Sequence, residues 1–213
     1  MRIFAISDQH GKLDFQLPQA DLILHAGDIC PDFAPHSNWG NQMQELWLQS
    51  KWSNWIGSRK VLATFGNHDF VNRCPESMNN IKVDELVEFN GLKIWFSPWS
   101  NQFGIWAWMA PPLDLEQVYS KIPEGLDILV SHGPAYGFGD KVGERYIYDD
   151  QMDPHVGSKE LLAVIERMKP KVLICGHIHS GWGIYQHGPT TIYNVALLNE
   201  DYQRVNEPMQ ILL

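Results

Sequence analysis

Five short apolar runs, each followed at once by a polar or glycine-containing cluster, constrain this chain most: residues 2–7, 22–26, 61–65, 128–131 and 172–175. Runs of this length and composition predict buried strands. Helix patterns lie between them at 39–56, where Trp39, Met43, Leu46, Trp47 and Trp55 fall near helical spacing, at 113–120, and at 158–168, which Ser158 can cap. The alternation predicts parallel pairing in the first and middle parts, whereas residues 88–94 read as a hairpin turning at Asn90-Gly91. From Gly183 onward the pattern is again β. The expected fold is α/β, two packed mixed β-sheets flanked by helices, in a single domain over 1–213.

The clusters after the runs are Asp8-Gln9-His10, Gly27-Asp28, Gly66-Asn67-His68-Asp69, Ser131-His132-Gly133-Pro134 and Gly176-His177-Ile178-His179. In α/β folds the loops beyond the carboxyl ends of strands converge on ligands, so these clusters are expected to meet. The glycines permit sharp turns, and imidazoles with carboxylates form the donor set of borderline divalent metals. One Asp-x-His or Gly-Asp alone is weak, but five clusters in series, holding five of the nine histidines, are specific. His25, His36, His155 and His187 belong to none of them and read as structural or exposed, with His25 the best placed to support a ligand. Asp69 is expected to orient His68 or a ligand histidine.

A net charge of −9 argues against a nucleic-acid polymer as partner, while bound metal would still make the site locally attractive to a small anion. Cys30, Cys74 and Cys175, odd in number and far apart, read as reduced thiols. With no signal-peptide pattern and no 18-residue apolar stretch, the reading is a soluble cytoplasmic protein without membrane association. The oligomeric state stays open. Trp39, Trp99, Trp106 and Trp108 read as core residues in preference to stacking platforms. Residues 136–155, rich in Gly, Tyr and charge, read as a substrate lid, with Lys141 and Arg145 as solvated charges in preference to phosphate contacts.

In their order the clusters resemble the signature of the calcineurin-like metallophosphoesterase superfamily: Asp-x-His, Gly-Asp, Gly-Asn-His-Asp/Glu, His and Gly-His-x-His. The chain is further similar to the small metallophosphoesterase-domain branch through Leu24-His25-Ala26-Gly27-Asp28, Ser97-Pro98-Trp99, Ile122-Pro123-Glu124-Gly125, Ser131-His132-Gly133-Pro134 and Asn206-Glu207-Pro208. The resemblance implies a four-layer αββα fold and two divalent metal ions that activate a water. It implies that Asp8, His10 and His179 bind one ion, that Asn67, His132 and His177 bind the other, and that Asp28 bridges them. His68 would contact the phosphate and assist the leaving oxygen. Mn²⁺ is the first choice of metal, with Fe, Zn, Co or Ni as alternatives.

The substrate so implied is a small phosphate ester, first a phosphodiester such as a cyclic nucleotide, 2′,3′-cyclic species leading. A phosphomonoesterase would use the same site. The reading from another class is a catalytically silent scaffold that binds protein partners, against which the intact ligand set argues. A nuclease is disfavoured by the acidic composition.

Overall fold

The computed structural model describes residues 1–71, 78–149 and 151–213. All five apolar runs form strands: β1 (Ile3–Ile6), β2 (Leu22–Ala26), β3 (Val61–Thr64), β8 (Ile128–Ser131) and β9 (Val172–Cys175). In one sheet β1, β2 and β3 are parallel, and β12 (Met209–Ile211) lies antiparallel on β1, giving the order β12-β1-β2-β3. In the second, β5 (Leu92–Ser97), β8, β9 and β11 (Thr190–Asn194) are parallel, and β4 (Glu85–Phe89) and β10 (Gly183–His187) form antiparallel edges. Its order is β10-β11-β9-β8-β5-β4. β4 and β5 are the expected hairpin: Asn90 (φ 48°) and Gly91 (φ 83°) both take the left-handed conformation that a two-residue turn requires. A short parallel pair, β6 (Ser100–Asn101) with β7 (Met109–Ala110), frames an arch.

Successive side chains of a strand point to opposite faces, and three apolar layers result. Leu22, Leu24 and Ala26 join Ile128, Val130, Val172 and Ile174 between the sheets. Ile23, Val61 and Ala63 face Leu48, Trp52 and Ile56 on one outer side. Leu129, Leu173 and Cys175 face α3 (Pro112–Tyr119) and α4 (Lys159–Met168) on the other. This is the expected four-layer arrangement, and burial on both faces is why the strands read as largely apolar runs. Ser158 caps α4 by accepting from Leu161 N at 3.1 Å.

The pattern at 39–56 gives α1 (Asn38–Trp47), a π-helical turn at Leu48–Trp52 and α2 (Ser53–Ile56). The expected stripe holds in part: Trp47 and Trp55 pack against the core, whereas Trp39 and Leu46 are exposed. Gly40, Gln44, Leu48, Trp52 and Ile56 are buried instead. A strict four-residue repeat drifts around an α-helix of 3.6 residues per turn, and the wider π turn returns the stripe to the sheet. Trp99 and Trp108 are half-buried against the apolar layers, as expected of core residues, whereas Trp106 lines the cavity described below. Cys30 and Cys175 are buried free thiols, and Cys74 lies outside the described residues. Among the described residues no helix is long and apolar enough to cross a membrane.

Candidate metal centre

Parallel strands deliver their carboxyl ends to one side, and the five clusters meet there. β1 leads to Asp8 and His10, β2 to Asp28, β3 to Asn67 and His68, β8 to His132, and β9 to His177 and His179. Four of these residues leave their strands in left-handed backbone: Asp8 (φ 55°), His10 (φ 42°), Asp28 (φ 55°) and His177 (φ 69°). Such conformations cost non-glycine residues free energy and concentrate at functional sites. The glycines beside them leave room for the ligand side chains. A Cβ at Gly66 would strike Asp28 Oδ1, and one at Gly176 would strike Asp8 Oδ2.

Beside a third group of His10, Asp32 and His68, two donor groups hold the expected ligands, the atoms of each lying within 4.8 Å of one another: Asp8, His10 and His179, and Asp28, His132 and His177. Asp28 spans them, with Oδ2 3.6 Å from His10 Nε2 and Oδ1 3.5 Å from His132 Nε2. The hydrogen-bond roles leave these atoms as bare electron pairs. His132 Nδ1 donates to Ala26 O at 2.8 Å, so in the neutral ring Nε2 is an acceptor, yet it lies 2.9 Å from Asn67 Oδ1, also an acceptor. His179 Nδ1 donates to Asn199 O at 2.9 Å, which turns Nε2 toward Asp8 Oδ1 at 3.5 Å, a pair that a proton or a metal cation can join. Among the described residues, neither of the buried ring nitrogens of His10 has a hydrogen-bond partner. Acceptors facing acceptors need a cation between them, and the nitrogen–oxygen donor set fits divalent metal.

Burial pushes His10 down to about 4 and His177 down to about 3, outweighing the pull of Asp28 and Asp8 and leaving both neutral, as metal ligation requires. Burial would raise the carboxyl groups of Asp8 and Asp28. The surrounding histidines, His179 foremost for Asp8 and His132 for Asp28, hold them below the usual range. His179 is shifted upward: burial opposes this, but hydrogen bonding to Asp8 prevails, so a divalent cation would displace a proton from that pair.

Supporting contacts fix the loops. Asp8 accepts from His177 N at 3.0 and 2.9 Å, and Asp28 Oδ1 accepts from His68 N at 2.8 Å. His25 Nδ1 accepts from Gly27 N at 3.2 Å, so Nε2 carries the proton and donates to Gln9 Oε1 at 2.9 Å. It thereby braces the two loops that carry Asp8, His10 and Asp28. Asp69 does not touch His68 or a ligand histidine through its carboxylate. It accepts from Ile29 N (3.1 and 3.2 Å), Cys30 N (2.8 Å) and Gly66 N (2.8 Å), binding the Asp28 loop to the Asn67 loop.

His68 has other partners, which sequence reasoning missed. Its Nδ1 pairs with Asp32 Oδ1 at 3.0 Å, its carbonyl accepts from Gln44 Nε2 at 2.8 Å, and the Trp106 ring lies 4.3 Å from its own. Burial lowers the pKa of His68, but the charge of Asp28 and the hydrogen bond to Asp32 raise it to about 9 overall. Tyr202 packs 4.8 Å from the His10 ring and 5.4 Å from that of His179. Nothing in the local sequence of these residues marks them.

A cavity of about 910 Å³ opens on the centre, lined by Asp28, Asn67, His68, His177 and His179 among others. The 136–155 segment contributes Val142, Tyr146, Tyr148 and Met152 to its wall, and Asp150 lies outside the described residues. Arg145 is engaged by Glu200 (3.2 Å) and Asp201 (2.8 Å).

A sheet sandwich with clustered electron-pair donors at its strand ends and an adjoining cavity is a layout suited to a metal site that meets a ligand. The chain belongs to the calcineurin-like phosphoesterase family, whose profile matches residues 1–181, and its class is therefore phosphoester hydrolase. Human metallophosphoesterase domain-containing protein 1 is 30% identical over 249 aligned residues, covering 99% of this chain and 70% of that protein. Two solved structures share the fold. TT1561 of Thermus thermophilus has a TM-score of 0.57 at 14% identity, over 91% of this chain and 88% of that one. The phosphopantetheinyl hydrolase of Mycobacterium tuberculosis has a TM-score of 0.55 at 13% identity, over 99% and 95%.

Proposed function

We propose that this chain hydrolyses small phosphodiesters, cyclic nucleotides and first 2′,3′-cyclic species among them, at a centre of two divalent ions. Asp8, His10 and His179 hold one ion, Asn67, His132 and His177 the other, and Asp28 bridges. The observation that carries this reading is Asp28, whose two oxygens face one histidine of each donor group. When bound, the ions supply Lewis-acid charge to the phosphoryl oxygens and lower the pKa of water. His68 is held at Nδ1 by Asp32, which leaves Nε2 free to donate to a phosphoryl or leaving-group oxygen. Mn²⁺ is the metal to try first.

Charge favours the diester over the monoester. Among the described residues no lysine or arginine lines the cavity, while the carboxylates of Asp32 and Glu200 do. A diester brings one negative charge and a monoester up to two. The two described cysteines are free thiols, which suits a reducing cytoplasm.

The test is turnover of bis(p-nitrophenyl) phosphate by metal-stripped protein titrated with Mn²⁺, beside p-nitrophenyl phosphate. Preference for the monoester would sink the diesterase reading. His68→Ala is expected to lower kcat about 10²- to 10⁴-fold, and Asp32→Asn about tenfold or more through loss of the orienting carboxylate. A His68→Ala enzyme within tenfold of the parent would remove His68 from the chemistry.

Metal loading should also show in stability. At 100 times Kd each ion contributes about 2.7 kcal/mol, and a chain of this length gains about 2–4 °C per kcal/mol. Two ions are expected to raise Tm by about 10–20 °C over chelator-treated protein in differential scanning calorimetry. A rise below about 3 °C at saturating Mn²⁺ would contradict a two-ion centre.

A further inference from the structure

The cavity wall next to the donor groups is aromatic, and its rings are presented rather than buried. Between β6 and β7 the arch at 102–108 places Phe103 5.4 Å from the His177 ring and Trp106 4.3 Å from the His68 ring. Two hydrogen bonds fasten the arch to the Asn67 loop: Ala107 N donates to Asn67 O at 3.1 Å, and Trp108 Nε1 to Asp69 O at 3.0 Å. The platform is therefore built before any ligand arrives. The 136–155 segment adds Tyr146 and Tyr148, tethered through Gly143 N to Glu200 Oε1 at 2.9 Å and through Arg145. Phe103 is 60% exposed and Tyr148 81% exposed although both line a concave site. Aromatic faces left open in a cavity are surface that a ligand can cover.

Resting on the diesterase reading, we propose that one substituent of the substrate is a planar aromatic or heteroaromatic ring, stacked on Phe103 and Trp106 of the arch and on Tyr148. The rings lie tilted beside His68 and His177, so a diester phosphorus near Asp28 leaves its nearest substituent within their reach. Stacking tolerates any flat π-face and needs no charged partner. That matches a cavity without lysine or arginine among the described lining residues. A saturated ring or alkyl group would fill the space without the face-to-face contact.

The test uses methyl, cyclohexyl and phenyl 4-nitrophenyl phosphates with Mn²⁺-loaded protein, so that 4-nitrophenolate leaves in each case and only the other substituent varies. The phenyl ester is expected to exceed the methyl ester about tenfold in kcat/KM and the cyclohexyl ester about threefold. Phe103→Leu and Tyr148→Leu should each lower the phenyl-to-methyl ratio about threefold or more. A merely structural role would lower all three esters together and leave the ratio in place. A cyclohexyl ester equal to the phenyl ester, a wild-type phenyl-to-methyl ratio near one, or a ratio unchanged in both variants would overturn the proposal. If none of the esters turns over, the diesterase reading fails. The ring subsite is then judged by calorimetric titration of the loaded protein with phenyl and cyclohexyl methylphosphonate, where tighter phenyl binding supports it and equal affinity overturns it.

Discussion

Asp28→Asn is expected to abolish phosphodiester turnover by about three orders of magnitude or more while the chain stays folded. The substitution keeps the shape of the side chain and an oxygen for His68 N, which now donates to Oδ1 at 2.8 Å. It removes the charge and one of the two oxygens that face His10 and His132. Two cations at close quarters repel each other, and the shared carboxylate is what offsets that repulsion. Losing it costs several kcal/mol of transition-state stabilisation, each 1.4 kcal/mol being about tenfold in rate. Metal content by plasma mass spectrometry should fall from about two ions per chain toward one or none. A variant that keeps two ions and turns over within tenfold of the parent would show that Asp28 does not bridge.

The largest loss of stability is expected from Asp69→Ala, a residue that touches no substrate and, through its carboxylate, none of the ligand side chains. The carboxylate is fully buried, and the N–H groups of Ile29, Cys30 and Gly66 converge on it. Removing it leaves three donors from two loops without an acceptor, at about 1–3 kcal/mol each before relaxation and water entry. A net loss of about 3–5 kcal/mol follows, or about 6–20 °C in Tm. The same change loosens Asp28 against Asn67, so the metal-dependent gain in Tm should shrink as well. If chelated Asp69→Ala protein melts within about 2 °C of the chelated parent, the three N–H groups have found other partners and the bracing role is wrong.

What the sequence disclosed was whatever depends on near neighbours. The five strands were legible because burial on both faces leaves few polar positions in them, His25, Thr64 and Ser131 being the exceptions, and the candidate-ligand loops because each such residue follows its strand within a few residues. The partners of His68 were not legible, although His25 was foreseen as a support. Asp32 meets His68 across 36 positions and Gln44 meets the His68 carbonyl across 24, and neither separation leaves a mark in local composition. Asp69 was assigned to the wrong neighbour for a related reason. Adjacency in sequence suggested His68, whereas the backbone turn delivers the carboxylate to N–H groups 39 and 40 residues away. In the 39–56 helix Trp47 and Trp55 pack inward as the spacing suggested, but Trp39 and Leu46 do not, because the stripe runs through Gly40, Gln44 and Leu48 and the π turn carries it on to Trp52 and Ile56. Trp106 was assigned to the core because bulk favours burial, but the arch holds it over His68 instead.

The joining of Asp8 to the backbone of His177, 169 residues later, also sets an order of events during synthesis. At the usual pace of about 5–20 residues per second, roughly 8–34 s separate the appearance of the first candidate ligand from that of its last partners. During that interval the emerging chain offers Asp8, His10 and Asp28 without His177 or His179. Closing so long a loop costs entropy that only the docking of the two sheets can offset. Metal is therefore expected to enter only after residues 177–179 have emerged and the two sheets have docked.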